Sequence, residues 1–396
     1  MLYIVVLFYL VYLIWKYDIR KQKIGNLMHY NIVLLIFILV AGLSYRLGVD
    51  TIRYEFYFYD QFEYTWDGLF KHVFRSHGEP LFVLTNLLTK DFFGEFFVSR
   101  LVMSLFYHMV FFWFVRKHSP APFTTILLYA VFQYFNFNFQ VIRETMAVSF
   151  FLIGLDGLLQ SKPKYIKYVC CIILAMGFHH FAFLALFFPF FFHLKPNKFY
   201  LIQLAVLFLV GSSLSIVIGE VASLEFINDS LSDKVEGYVE SSRYGQRTIS
   251  SIINWVVFFF GILIPSCIMV FQAKKADSRL VSLALFYIII TVLRYTSFGI
   301  LFRINNYLFF IFAIVITQAF YDHDYCKGIG FRRNRYQNFR IKLCMWCITI
   351  MVAYRFAFLY VSGMTMYYPY SSVITHDLDE KRETLYYEMG INYKHD

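Results

Sequence analysis

The chain has 396 residues, 59% hydrophobic and 22% aromatic, with 16% charged and a formal net charge of +10. Soluble globular proteins carry about 25% charged residues, so the composition excludes a soluble domain and indicates a polytopic membrane protein. No P-loop, HExxH, GxSxG or glycine-rich dinucleotide fingerprint occurs, which argues against ATP-driven transport and zinc proteolysis, and no nucleic-acid ligand is expected.

Apolar runs suited to membrane helices, each needing about 20 residues, fall at 2–15, 30–43, 92–115, 123–139, 145–159, 168–192, 199–219, 249–271, 280–297, 302–320 and 343–361. They predict an all-α, GT-C-like membrane fold of about 11–12 transmembrane helices. It forms one integral domain over residues 1–361, followed by an extracytoplasmic tail at 362–396. The first run lacks a cationic n-region and a small-residue cleavage site, and reads as a retained span. Cys170, Cys171, Cys267, Cys326, Cys344 and Cys347 fall in spans or in a cytoplasmic loop, so no disulfide framework is implied. The CxxC spacing of Cys344 and Cys347 inside an apolar helix reads as packing.

Loop charge orients the chain, because Lys and Arg stay on the cytoplasmic side. Segments 16–29, 116–121, 161–167, 193–198, 272–279 and 321–342 hold 20 basic residues against four acidic ones. Segments 44–91, 220–248 and 362–396 hold 11 basic and 19 acidic residues and belong outside. This alternation puts the N-terminus outside, and it requires residues 167 and 198 both to face the cytoplasm. One crossing cannot do that. A re-entrant or broken helical hairpin can, with its turn near residues 177–180 and arms of about 12 residues, roughly 18 Å each. That turn carries His179 and His180, and an ionisable group within the membrane suggests a functional site.

Five arginines then fall in the outer half, against the charge bias: Arg100, Arg143, Arg294, Arg303 and Arg355. Guanidinium groups in a partly desolvated setting suit bidentate binding of phosphate oxygens, and a pyrophosphate anchored in the outer leaflet is a natural ligand. The outer loop at about 44–91 interleaves aromatics with Arg46, Asp50 and Arg53, a surface suited to a sugar. The second outer loop, at about 220–248, reads as an amphipathic helix over a cavity. Asp377 and Asp379 have a DxD spacing, and Asp322 and Asp324 another acidic pair; both read as solvated.

The order of these features resembles the EpsG family of exopolysaccharide polymerases, relatives of the O-antigen polymerases known as Wzy. The resemblance rests on Tyr45, Arg46, Gly48, Asp50 and Tyr54, then on Gln140, Arg143 and Ala147, similar to the family's R-Q-x-x-A with Glu144 in place of Gln. It continues through His179, His180 and Ala182, similar to F-H-x-S/T-A, and through Arg303 with Tyr307. It implies transfer of oligosaccharide between undecaprenyl-pyrophosphate carriers at the outer face of a bacterial inner membrane, yielding exopolysaccharide, capsule or O-antigen. A flippase and a chain-length regulator are the implied partners. Pyrophosphate is a good leaving group, so neither metal nor cofactor is required. The expected roles are a general base at His179 or His180, pyrophosphate binding at Arg143 and Arg303 with Arg294 and Arg355 as further candidates, and substrate positioning by Arg46, Asp50, Arg53, Tyr54, Gln140 and Tyr307. An O-antigen ligase, a flippase or transporter for lipid-linked sugars and a membrane O-acyltransferase are the alternatives. A ligase is expected to carry a larger outer domain, a transporter a polar path across the whole membrane, and an acyltransferase a cytoplasmic entrance for its donor.

Overall fold

The computed structural model describes residues 2–20, 28–59, 65–74, 79–222, 256–296, 301–321, 335–362, 367–376 and 380–392. These are almost wholly helical, with one isolated β-bridge, between Ser44 and Ser372. Most of the second outer loop (223–248), the Asp322 and Asp324 pair, Cys326 and the DxD residues Asp377 and Asp379 lie outside the described residues. The chain divides into two compact units, Met1–Leu186 with Arg355–Asp396, and Phe187–Tyr354.

In the first unit, α1 (Leu2–Leu13) runs on through a π-wound turn to Ile19. It is followed by α2 (Met28–Gly42), α3 (Val49–Tyr59), α4 (Trp66–Phe74), α5 (Pro80–Phe93), α6 (Phe96–His118), α7 (Pro122–Phe132), α8 (Tyr134–Phe139), α9 (Ile142–Leu158) and α10 (Tyr165–Phe178). The second unit holds α11 (Lys198–Ala222), α12 (Ile264–Gln272), α13 (Ser278–Thr296), α14 (Phe302–Tyr321) and most of α15 (Arg335–Ser362). Residues Leu2–Ile19, α6, α13 and α14 are long and apolar enough to cross a membrane, and shorter apolar helices accompany them. Ile4, Val5 and Phe8 are each more than half exposed on the first of these, an apolar face suited to lipid rather than to water. The protein is therefore an all-α polytopic membrane protein, as its composition requires.

Polar contacts mark the two ends of the first unit. At one end Asp18 accepts the backbone N–H and hydroxyl of Thr124 at 2.6 and 2.8 Å, and His118 Nε2 lies 2.9 Å from Asp156. At the other, the Tyr3 hydroxyl donates to the Tyr367 carbonyl at 3.3 Å and the Tyr45 N–H to the Ser371 carbonyl at 3.0 Å. Residues 3 and 18 stand at opposite ends of one helix, so the helices between these contacts alternate in direction.

Between the ends lies an aromatic core. Its buried phenols find carbonyl acceptors, Tyr30 at Phe112 (2.6 Å) and Tyr134 at Phe37 (3.1 Å), which removes the penalty of burying an unbonded hydroxyl. His108 is buried here with Nδ1 2.9 Å from the Ser104 carbonyl, a packing histidine. Arg100, one of the five outer-half arginines, is also structural. Its guanidinium donates to the carbonyls of Ala41 (2.8 Å) and Ser44 (2.9 Å) at the end of α2 and of Asn138 (3.1 Å) at the end of α8, acceptors that helix ends leave without intrahelical donors.

The hairpin turn lies where loop charge requires it. α10 stops at Phe178, His179 is extended (φ −154, ψ 114), and the chain continues as a 3-10 limb, His180–His193. The Tyr168 hydroxyl, in the first turn of α10, donates to the Ala185 carbonyl, so the limb returns alongside the helix it left. Gly154 lets α9 approach α10 closely: a Cβ there would meet Cys171 at 3.0 Å and Tyr168 at 3.1 Å.

From Arg355, within α15, the chain belongs to the first unit again, and a further helix follows, α16 (Glu380–Asn392). The Val373 N–H donates to the Leu43 carbonyl at 2.9 Å, and the ring of Tyr386 on α16 meets Phe56 on α3 edge-on at 6.3 Å. The C-terminal tail, whose Asp377 and Asp379 pair reads from sequence as solvated, thus has a helical part packed on α3.

Candidate functional site

Two distant parts of the sequence converge on Glu79. This residue precedes Pro80, whose fixed φ suits the first turn of a helix and holds the preceding residue out of helical geometry (Glu79 φ −125, ψ 65). The carboxylate therefore stands ahead of α5, at a helix N-terminus, where negative charge is stabilised. One oxygen pairs with Arg143 Nη1. The other lies 2.8 Å from His179 Nδ1 and 3.6 Å from His180 Nδ1. A carboxylate only accepts hydrogen bonds, so His179 donates through Nδ1.

Each partner is placed by a local feature. Arg143 lies in the first turn of α9, an electrostatically poor place for a cation, and Glu79 compensates it. Its Nε donates to the Tyr54 hydroxyl of α3 at 2.8 Å, and its guanidinium carbon lies 5.1 Å from that ring. The histidines enter at the hairpin turn, where the break in α10 turns both imidazoles toward one carboxylate. Burial raises Glu79, but the hydrogen bond from His179, the neighbouring His180 and the charge of Arg143 outweigh it and hold the carboxyl below the usual carboxylate range. Burial pushes the Tyr54 hydroxyl up to about 12, with Arg143 opposing, so it remains a neutral phenol.

Exposure separates the two imidazoles. The His179 side chain is 4% exposed and that of His180 30%, while Arg143 is 41% exposed. The arrangement is thus a buried carboxylate fixed by one buried histidine, presenting a more accessible imidazole and a guanidinium. A second histidine that reaches outward beside a carboxylate can take a proton from a hydroxyl, and the carboxylate then stabilises the imidazolium.

Glu79, His179 and His180 also offer three ligand atoms within 4.8 Å of one another, as a divalent cation would require. The 2.8 Å separation of His179 and Glu79 is a hydrogen-bond distance, shorter than the roughly 3.3 Å between ligands on a tetrahedral ion with bonds of about 2.0 Å. Arg143 on the same carboxylate adds a positive charge that opposes a second cation. The hydrogen-bonded reading fits better.

Of the other residues expected in the site, Asp50 on α3 acts electrostatically on Tyr54, and Gln140 donates to the Tyr367 hydroxyl at 3.0 Å. Arg46 pairs with Glu55 on α3 at 3.2 Å, and Arg53 is exposed. Glu144 is buried on α9. Arg294, Arg303 and Tyr307 belong to the second unit, where both guanidinium groups lie within 6 Å of the Phe302 ring and Tyr307 is buried. Arg355 is half-buried on α15. Glu79 itself escaped the sequence reading. Its signal is an acid directly before a helix-starting proline, and its partners lie 64 and 100 residues away.

α3 is seated through Gly48, whose φ is +84 and whose added Cβ would lie 2.1 Å from the Phe139 carbonyl oxygen. Gly48→Ala is expected to cost about 2–3 kcal/mol, a thermal midpoint in detergent lower by several degrees. Gly94→Ala isolates the steric part. Gly94 has a similar φ, +74, but nothing lies within 4 Å of its added Cβ, so the loss there is expected to be smaller.

Comparison with curated proteins and with solved structures finds no match. A family model does match, over residues 27–372, and its span takes in α3, Glu79, Arg143 and both hairpin histidines. The chain belongs to the EpsG family.

Proposed function

We propose that the protein joins lipid-pyrophosphate-linked oligosaccharide repeat units into a polysaccharide at the outer face of a bacterial cytoplasmic membrane. Membership of the EpsG family supports an exopolysaccharide-polymerase-like activity in general. The observation that carries the finer reading is the accessible imidazole of His180 beside the Glu79 carboxylate and the half-exposed Arg143 guanidinium. Outward orientation is supported by the basic residues Lys16, Arg116 and Lys117, which stand at the end of the first unit opposite this cluster.

In the proposed reaction a hydroxyl of one lipid-linked repeat attacks the anomeric carbon of another. The new C–O bond forms as the bond to pyrophosphate breaks, and the hydroxyl proton passes to His180. Arg143 meets the charge developing on the departing pyrophosphate, and stabilisation of this kind is commonly the largest catalytic contribution. Glu79, 3.6 Å from the Nδ1 of His180, stabilises the imidazolium by its charge, and His179 fixes Glu79.

The test is incubation of the purified protein in nanodiscs with undecaprenyl-pyrophosphate repeat units from its own host. The expected result is a ladder of products with release of undecaprenyl pyrophosphate, at the same rate in EDTA as without it. Binding of the substrate without turnover would overturn the polymerase reading in favour of transport.

A further inference from the structure

A cavity of about 630 Å³, lined by polar and apolar side chains, lies in the first unit against a different face of α3 from the one that carries Tyr54. Its size falls within the ~300–1,000 Å³ range of small-ligand sites. Tyr45, Arg46, Glu55, Tyr59, Glu95 and His376 are among its lining residues, the last contributed by the C-terminal segment. Thr51, Glu55 and Tyr59 follow one another at a four-residue spacing, so one face of α3 forms this wall while Tyr54 serves the Glu79 cluster.

The lining is built rather than incidental. Arg46 pairs with buried Glu55 and lies 3.5 Å over the Tyr386 ring and 4.9 Å from the Tyr45 ring. The Tyr59 hydroxyl donates to Glu95 at 3.1 Å, and the Tyr45 and His376 rings meet edge-on at 4.7 Å. Arg46 (φ 48) and His376 (φ 51) are the two non-glycine residues with positive φ among the described residues, and both line this cavity. Such backbone strain persists where the surroundings enforce it, and it clusters at ligand sites. Buried Arg100 also lines the cavity, and its Nε has no hydrogen-bond partner among the described residues.

We infer that this cavity binds a short uncharged stretch of oligosaccharide, held apart from the reaction cluster; the inference rests on the polymerase reading above. Aromatic faces suit pyranose rings, while Glu95, Tyr59 and the Arg46–Glu55 pair offer both donors and acceptors to hydroxyls. The guanidinium groups of Arg46 and Arg100 are balanced by the carboxylates of Glu55 and Glu95, so the lining is neutral overall and suits an uncharged ligand. The site would seat glycan several sugars from the reacting hydroxyl and so set register and length of the product.

The test uses the full chain in detergent and titrates carrier-free oligosaccharide, released from the host's lipid-linked repeat units by mild acid, by calorimetry. Tyr45→Ala and His376→Ala are expected to weaken binding at least tenfold, and Ile374→Trp, a substitution at an exposed position of the wall, to block it by filling space. Arg143→Ala and His180→Ala are expected to change it less than twofold. Binding lost in the last two variants and kept in the first three would overturn the inference, as would no binding to a wild-type protein that makes a polymer ladder. Absence of the ladder, with cavity-dependent binding intact, would instead overturn the polymerase reading alone.

Discussion

Replacing Glu79 by alanine is expected to abolish detectable polymer and to cost about 2–3 kcal/mol of stability. The carboxylate is buried and holds Arg143 and His179 directly, with His180 at 3.6 Å. Removing it takes away the acceptor of the Arg143 Nη1 and His179 Nδ1 donors, while Arg143 keeps its hydrogen bond to Tyr54. A fully buried pair costs about 3–5 kcal/mol when one partner is deleted, and Arg143, being partly exposed, can recover some of that by turning to water. Glu79→Gln keeps the shape and loses the charge, and the rate is expected to fall about 10³-fold because His179 loses the carboxylate that fixes its tautomer and His180 the negative charge that stabilises its imidazolium. The pH dependence has a definite sign. Glu79 titrates below its unfolded range, so its stabilisation is fully present above the unfolded pKa, about 4.3, and is lost as pH falls through the folded value. The difference in thermal midpoint between wild type and Glu79→Gln should therefore persist undiminished from pH 8 to about pH 5 and shrink only in stronger acid.

The two histidines should separate by what they lose. His180→Ala is expected to lower the rate of repeat-unit joining by about 10²–10⁴-fold, the usual contribution of a general base, with its thermal midpoint within a degree or two of wild type, since the side chain is partly exposed. His179→Ala is expected to lower both, because it empties a buried position and releases Glu79. His179→Asn, which retains a donor near the carboxylate, should recover part of the activity, while His180→Asn should recover none. Initial rates of the first joining step, measured beside melting curves in the same detergent, check both. The opposite pattern would assign the base to His179.

Much of this was legible in the sequence because the membrane leaves a helix few alternatives. The apolar runs at 92–115 and 302–320 correspond to α6 and α14, and the charge alternation located the break that the structure places at His179. Arg143 and the histidines were each visible as polar groups where apolar ones would be cheaper, and Tyr54 through the family resemblance. Glu79 was not, since an acid in a polar outer loop has the same local signature whether it is solvated or buried against partners far along the chain. Arg100 misled for the converse reason. The carbonyls it satisfies belong to backbone, and no side-chain pattern announces them. The tail read as solvated because its composition is acidic, whereas its bridge to Ser44 and the packing of Tyr386 on α3 depend on residues more than 300 positions earlier.

The central claim is that sugar transfer occurs at the Glu79 cluster. The most direct measurement is a side-by-side assay of wild type, Glu79→Gln and His180→Asn in nanodiscs, at matched amounts of folded protein, with undecaprenyl-pyrophosphate repeat units and polymer length as the readout. The account predicts a ladder from wild type and none above the unjoined repeat from either variant. A wild-type ladder from His180→Asn or Glu79→Gln would contradict it.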